Sequence, residues 1–316
     1  MAADTLEDNL ADNHQQRYER YRQRNVQLSI ACVDSLLERY PVETTKIRAV
    51  VANTTVGGMI PNLTSIIANR LNLGSSTKVI ELGYMGCATA LLALELIESQ
   101  LQPGEVGLIL SSELTSAMVN LVAESDASLV ANTVFGDGIG AFLVAKRPHR
   151  EKPFLRIRGY SGSVLADDQA LSAITYEPNG VYHEIRLRET IPEVAGRGVR
   201  IAVEPLVRRH LVSPLQKLTY LINRKVPYWQ RNISYAVLHT AGSKVLEGLT
   251  QALALEQNQV EHNFSAFRKY GNTSSASIYY SLDELTKLRQ LKTGEKLLFL
   301  GYGSGFLTRG CLMEVA

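Results

Sequence analysis

The chain has 316 residues, 45% of them hydrophobic and 20% charged, the balance of a globular protein able to bury a large core. Its 33 basic and 31 acidic residues leave a formal charge of +2, which marks no surface for nucleic acid or an anionic membrane. No stretch approaches the roughly 20 apolar residues of a membrane span, the acidic start from Met1 to His14 is no signal peptide, and three cysteines that cannot all pair fit a reducing, cytoplasmic setting.

Residues 1–16 read as a flexible acidic leader. A helix follows over 15–40, with Val26, Leu28, Ile30, Ala31, Val33, Leu36 and Leu37 crowding its C-terminal half behind an Arg-rich start. The β-rich run 47–53 is a buried strand, Pro61 opens a helix to about Leu71, and 77–82 is a second strand. The helix over 88–98 is apolar almost all round, which requires a central position. Strands follow at 106–111 and 138–145, with a mobile-looking stretch between them. The polar run from Lys146 to Pro153 closes an N-terminal half, 17–150, and begins a C-terminal half, 151–316.

That second half repeats the order. Residues 154–159 read as a strand, 194–222 as helical with an interruption at Pro214, 235–239 as a strand, 244–255 and 273–288 as helices, and 296–301 and 306–314 as strands. Strands alternating with helices imply parallel-rich sheets wrapped by helices, and the repeated order is an internal duplication in architecture. One asymmetry stands out, since the second half begins with a strand and the first with a helix.

Three breaks in this pattern carry chemistry. Cys87 stands where a strand stops and the apolar helix begins, among unpaired backbone N–H groups and the positive end of the helix dipole, which favours thiolate. Cys32 and Cys311, on an apolar helix face and in an apolar strand, read as core fillers. Alone among six histidines, His239 ends a buried strand in a small-residue turn; His14, His149, His183, His210 and His262 sit in polar surroundings and read as surface. Asn272 would by itself read as a helix cap, but the duplication aligns it with the thiol. Together Cys87, His239 and Asn272 read as nucleophile, base and polarising donor. The glycines of 136–140 precede a strand, unlike a dinucleotide loop, and Gly301-Tyr302-Gly303-Ser304-Gly305 reads as a tight hairpin whose backbone N–H groups face the site. No two histidines or cysteines have metal-ligand spacing.

Gly86-Cys87, Ser112-Glu113-Leu114-Thr115, Phe135-Gly136-Asp137-Gly138, His239 with Ala241-Gly242, Gly271-Asn272-Thr273-Ser274-Ser275 and Gly301-Tyr302-Gly303-Ser304-Gly305 resemble, in order, the motif set of the thiolase superfamily. Within it they most resemble chalcone synthase-like type III polyketide synthases, with ketoacyl-ACP synthase III enzymes next, from about residue 17 to the C-terminus. The resemblance implies an α/β fold of five αβαβα layers, here lacking the first strand of the N-terminal half. It also implies decarboxylative Claisen condensation of an acyl thioester with a malonyl thioester, without metal or organic cofactor. Cys87, His239 and Asn272 take the family's triad positions. Phe135 takes that of one gating phenylalanine, Ile185 stands where the other would be, and Thr240 replaces the proline usual after the histidine. Ile60 matches a residue that reaches into the neighbouring subunit of a homodimer, and Gly303 and Ser304 complete the pocket set. Family members also carry, ahead of this start, basic residues that flank a coenzyme A tunnel, so the carrier is open between coenzyme A and an acyl carrier protein. A non-elongating acyltransferase and the non-catalytic subunit of a ketosynthase heterodimer are the alternative readings.

Overall fold

The computed structural model describes residues 14–120, 125–147, 152–179, 182–212 and 229–316. Helix α1 (His14–Arg39) buries Tyr21, Asn25, Ser29 and Val33 at four-residue spacing, so it is anchored along one stripe from Tyr21 onward and not by its C-terminal half alone. Residues 14–16, expected in the leader, are already helical; 1–13 lie outside the described residues. Strand β1 (Ile47–Thr54) is buried at every position but one, as a strand covered on both faces must be. Asn62 opens α2 (Leu63–Arg70), its side chain accepting from the Ser65 N–H at 3.0 Å; Pro61, expected inside this helix, lies before that cap.

The half continues with β2 (Lys78–Gly83), α3 (Thr89–Gln100), β3 (Val106–Glu113), α4 (Asp126–Val134) and β4 (Gly138–Ala145). Helix α4, capped by Ser125, occupies part of the stretch between the two strands that looks mobile in sequence. The sheet runs β2-β1-β3-β4, parallel except for β4.

The second half holds β5 (Leu155–Val164), α5 (Asp168–Ser172), β6 (Ile174–Asn179), β7 (Tyr182–Leu187), α6 (Ile191–Leu206), β8 (Tyr235–Leu238), α7 (Ser243–Ala252), α8 (Gln257–Tyr270), α9 (Ser277–Leu288), β9 (Lys296–Gly303) and β10 (Leu307–Val315). Its sheet runs β5-β10-β9-β8. The hairpin β6–β7 and the helix α8 were not anticipated. In α8 polar residues dominate and apolar periodicity is weak, and its legible signal is the Glu256–Gln259 capping box. Helix α6 begins three residues before the expected start, and the interruption expected at Pro214 lies outside the described residues.

Layering follows from which faces are apolar. Helices α1 and α2 cover one face of the first sheet through Val33, Leu63, Ile67, Leu108 and Leu110. Leu91, Leu94 and Ile97 of α3 and Ile278, Leu282 and Leu285 of α9 fill the space between the two sheets, against Val51 and Ile109 on one side and Phe299 and Met313 on the other. Helices α6, α7 and α8 close the far face. This is a five-layered αβαβα arrangement with α3 at its centre. In the second sheet β5 borders β10, whereas among the described residues nothing precedes β1 to border β4 in the same way. There the Tyr280 hydroxyl accepts from the Ile139 N–H and donates to the Ile139 carbonyl, at 3.2 and 3.3 Å.

Candidate active site

Tyr84 (φ 58°) and Gly86 (φ 76°) turn the chain from β2 into α3 and set Cys87 just before the helix. The β9–β10 hairpin presses on this turn: a Cβ on Gly86 would meet the Ser304 backbone N at 2.7 Å, and a Cβ on Gly303 the Cys87 backbone N at 2.4 Å. His239 directly follows β8, its N–H bonded to the Leu300 carbonyl at 2.9 Å. The Tyr302 hydroxyl donates to the His239 carbonyl at 2.8 Å. Asn272 follows Gly271 (φ 69°), which ends α8; its N–H donates to the Val134 carbonyl at 2.8 Å, and its backbone bridges that of Phe135.

These three groups, distant in sequence, meet at Ser274. The Ser274 hydroxyl donates to Cys87 Sγ at 3.2 Å, the Ser274 N–H donates to Asn272 Oδ1 at 2.9 Å, and the Ser274 backbone lies near enough to the His239 ring to raise its basicity against burial. His239 Nδ1 pairs with the Ser277 hydroxyl at 2.6 Å, and Asn272 Nδ2 donates to the Ala241 carbonyl at 3.4 Å. Ser274 itself has φ 50°, a conformation uncommon for a residue with a Cβ. Behind it lies a buried carboxyl, Glu113, which accepts from the Thr55 N–H (2.8 Å), the Thr55 hydroxyl (3.0 Å) and the Ser275 hydroxyl. Neither Ser274 nor Glu113 was singled out beyond its motif. The available signal was an acidic residue ending a strand in which every other position is buried.

Burial governs the titration of all three ionisable groups here. It pushes the Cys87 thiol up to about 12, with the Ser274 hydroxyl working against it. Desolvation of the charged form thus opposes the thiolate that the helix terminus is expected to favour. Burial likewise draws His239 down to about 3, a neutral imidazole, and raises Glu113 to about 7 against its bonds from Ser275 and Thr55. A second histidine corrects the surface reading, since His262 is 1% exposed, packs edge-on to Tyr235 and is drawn down to about 4, chiefly by burial. His210 is exposed; the side chains of His14 and His183 and the whole of His149 lie outside the described residues. Cys311 is buried and Cys32 half-buried.

Phe135 and Ile185 line a cavity of about 220 Å³ together with Thr115, Met118, Val119 and Ala131. None of Cys87, His239 and Asn272 lines it. The cavity borders the site through the Phe135–Asn272 bridge and the Gly136 N–H, which donates to the Asn272 carbonyl at 3.0 Å. The other pocket residues lie elsewhere. Gly303 backs Cys87, the Ser304 hydroxyl donates to the Ile174 carbonyl at 3.2 Å, and Ile60 stands 92% exposed at the surface. Thr240 donates from its hydroxyl to the Gly271 carbonyl at 3.1 Å, tying the histidine turn to the asparagine turn.

Residues 6–226 match the family described as FAE1/type III polyketide synthase-like protein. The chain belongs to that family. Residues 226–315 match the C-terminal region of 3-oxoacyl-[acyl-carrier-protein] synthase III, so both halves of this FAE1/type III polyketide synthase-like chain fall within condensing enzymes of acyltransferase type. It is 27% identical over 315 residues to 3-ketoacyl-CoA synthase 7 of Arabidopsis thaliana, covering 93% of this chain and 68% of that protein. It is 26% identical to 3-ketoacyl-CoA synthase 8 of the same plant, with 90% and 62% covered. The chain thus spans about two thirds of the length of these relatives. Its fold superposes on 1,3,6,8-tetrahydroxynaphthalene synthase from Streptomyces coelicolor A3(2) with a TM-score of 0.82 at 20% identity, covering 99% of this chain and 84% of that one. The type III polyketide synthase domain of Steely1 from Dictyostelium superposes at 0.80 and 21% identity, with 96% and 80% covered.

Proposed function

We propose that this protein catalyses decarboxylative Claisen condensation between an acyl thioester starter and a malonyl thioester, through an acyl-Cys87 intermediate, with no metal or organic cofactor. The observation that carries the reading is the convergence of Cys87, His239 and Asn272 on Ser274. Cys87 attacks the starter thioester and holds the acyl group while the carrier thiol departs. The malonyl thioester then loses carbon dioxide, and negative charge develops on its thioester oxygen. A neutral His239 ring N–H and the Asn272 carboxamide are suited to donate to that oxygen in a dry site, where such bonds count for most. The carbanion attacks the acyl-Cys87 carbonyl, forming the carbon–carbon bond and releasing the thiolate. Phe135 and Ile185 shape the neighbouring cavity, with isoleucine where the resembled enzymes carry a second phenylalanine.

The protein acts on small acyl thioesters carried by coenzyme A or by an acyl carrier protein, and works as a homodimer with Ile60 at the subunit contact. Support for that contact is an isoleucine left 92% exposed at the surface. The deciding experiment incubates the protein with a panel of acyl thioesters of both carriers and reads the adduct by intact mass and peptide mapping. An adduct on Cys87 that disappears in Cys87→Ala, with labelled carbon dioxide released from malonyl thioester, is expected. Acylation that persists in C87A removes the cysteine from its role, and acylation without carbon dioxide release turns the reading to simple acyl transfer.

A further inference from the structure

Tyr84 is a bulky residue in a left-handed conformation, φ 58°, three positions before Cys87. A glycine would take that conformation freely, so a tyrosine held there points to what its side chain does. Its hydroxyl accepts from the Gly58 N–H at 3.0 Å, and the Tyr21 hydroxyl pins the same loop, lying 2.8 and 2.7 Å from the Val56 and Gly57 carbonyls. The Tyr84 ring meets that of Tyr176, with centroids 6.5 Å apart and planes tilted by 52°. Tyr176 stands directly opposite Ile185 in the β6–β7 hairpin, so the two side chains share one face, and its hydroxyl donates to Met118 Sδ at 3.4 Å. Ile185 and Met118 both line the cavity of about 220 Å³. We propose that Tyr84 and Tyr176 form an aromatic gate between the Cys87 turn and that cavity, which sets the breadth of acyl group that reaches the sulfur. The inference rests on Cys87 being the acylated nucleophile and adds the residues that select its acyl group.

Neither ring fills a core. Tyr84 is 63% and Tyr176 38% exposed, so little of their apolar surface is removed from water and what joins them is one ring contact that can open. Each is held at its hydroxyl, Tyr84 by the Gly58 N–H and Tyr176 by the Met118 sulfur, which fixes where the two rings meet. They come from different halves of the chain, Tyr84 from the turn after β2 and Tyr176 from β6, as do Cys87 and Asn272. The pair is distinct from Phe135 and Ile185, which line the cavity itself. A narrow acyl chain passes beside a tilted pair of rings, whereas a branched or flat polycyclic group must push one of them aside. The cavity, at about 220 Å³, is also smaller than the roughly 300–1,000 Å³ of most small-molecule sites. Starters that pass the gate are therefore short and unbranched.

The test compares two reagents with the same electrophile and unequal breadth, N-ethylmaleimide and N-(1-pyrenyl)maleimide. The rates of Cys87 alkylation are followed by intact mass and peptide mapping, which separates Cys87 from Cys32 and Cys311. The wild-type protein should take the ethyl reagent and exclude the pyrenyl one. Tyr84→Gly removes the ring in the residue type that suits φ 58°, so the turn keeps its shape and the melting temperature does not fall. It should raise the pyrenyl-to-ethyl rate ratio by at least about tenfold, the scale on which an apolar pocket tells shapes apart. Tyr176→Ala should raise the ratio in the same way, and Tyr84→Phe, which keeps the ring, should leave it near the wild-type value. The double variant Y84G/Y176A should gain little over the larger single effect, the coupling expected of two rings closing one gap.

A ratio unchanged in both Y84G and Y176A overturns the gate, because the rings then stand in nothing's way. So does a rise of both rates by one factor, which means the whole site has loosened. With acyl thioesters, Y84G should acquire branched and aromatic adducts on Cys87 that the wild-type protein does not form. Maleimides need no thioester, so a shifted ratio in a protein that no thioester acylates would sink the condensation reading and leave the gate standing. Thioester adducts on Cys87 whose acyl selectivity is the same with and without the Tyr84 ring would do the reverse.

Discussion

Asn272 presents a carboxamide where a carboxylate would set a second negative charge against the developing enolate. Its Oδ1 is held by the Ser274 N–H, which turns the Nδ2 end toward the Ala241 carbonyl and away from that bond. Asn272→Ala should lower carbon dioxide release from malonyl thioester by about 10²–10³, the cost of one oxyanion donor, and slow Cys87 acylation much less. Equal loss in the two assays, read by labelled gas and adduct mass, would take the asparagine out of the decarboxylation step. At this scale Cys87, His239 and Asn272 were legible because each interrupts an apolar pattern with a reactive or amide side chain at the end of a strand or helix. Glu113 and His262 were not legible. A carboxyl in a polar tetrapeptide or a histidine in a polar helix looks solvated until its neighbours are known, and here both are buried.

Among the elements, the β9–β10 hairpin and the turn into α3 are fitted backbone to backbone. Gly303→Ala would place a methyl group 2.4 Å from the Cys87 backbone N, where no side chain can swing aside. The hairpin or the turn must shift, at a cost of about 1–3 kcal/mol by analogy with overpacked cores. Thermal melting of G303A should fall accordingly, and its Cys87 acylation rate should fall further than the melting shift accounts for. A variant with unchanged acylation would mean the hairpin does not position the sulfur. Strands β1, β3 and β9 were legible from their apolar runs, and α3 from being apolar on nearly every face, since only a helix between two sheets can bury them all. Helix α8 and the hairpin β6–β7 were not, because a polar sequence states a helix or strand only weakly when its partner supplies the burial.

For the whole molecule, the proposed homodimer leads to a prediction about association. Ile60→Asp places a charge where an apolar side chain is 92% exposed. Sedimentation should give a dimer for the wild-type protein and a shift toward monomer for I60D, with no change in the far-ultraviolet circular dichroism. A dimer that I60D leaves intact would move the subunit contact elsewhere. The chain alone determined the duplicated α/β class, the central position of α3 and the identity of a thiol, an imidazole and a carboxamide at element ends, because periodicity and reactive side chains are properties of local sequence. Only the tertiary structure decided that the three meet on Ser274, that burial disfavours both the thiolate and the charged imidazole, and that a carboxyl stands two hydroxyls away. Those are matters of distance and desolvation, and both arise when segments remote in the chain exclude water from one another.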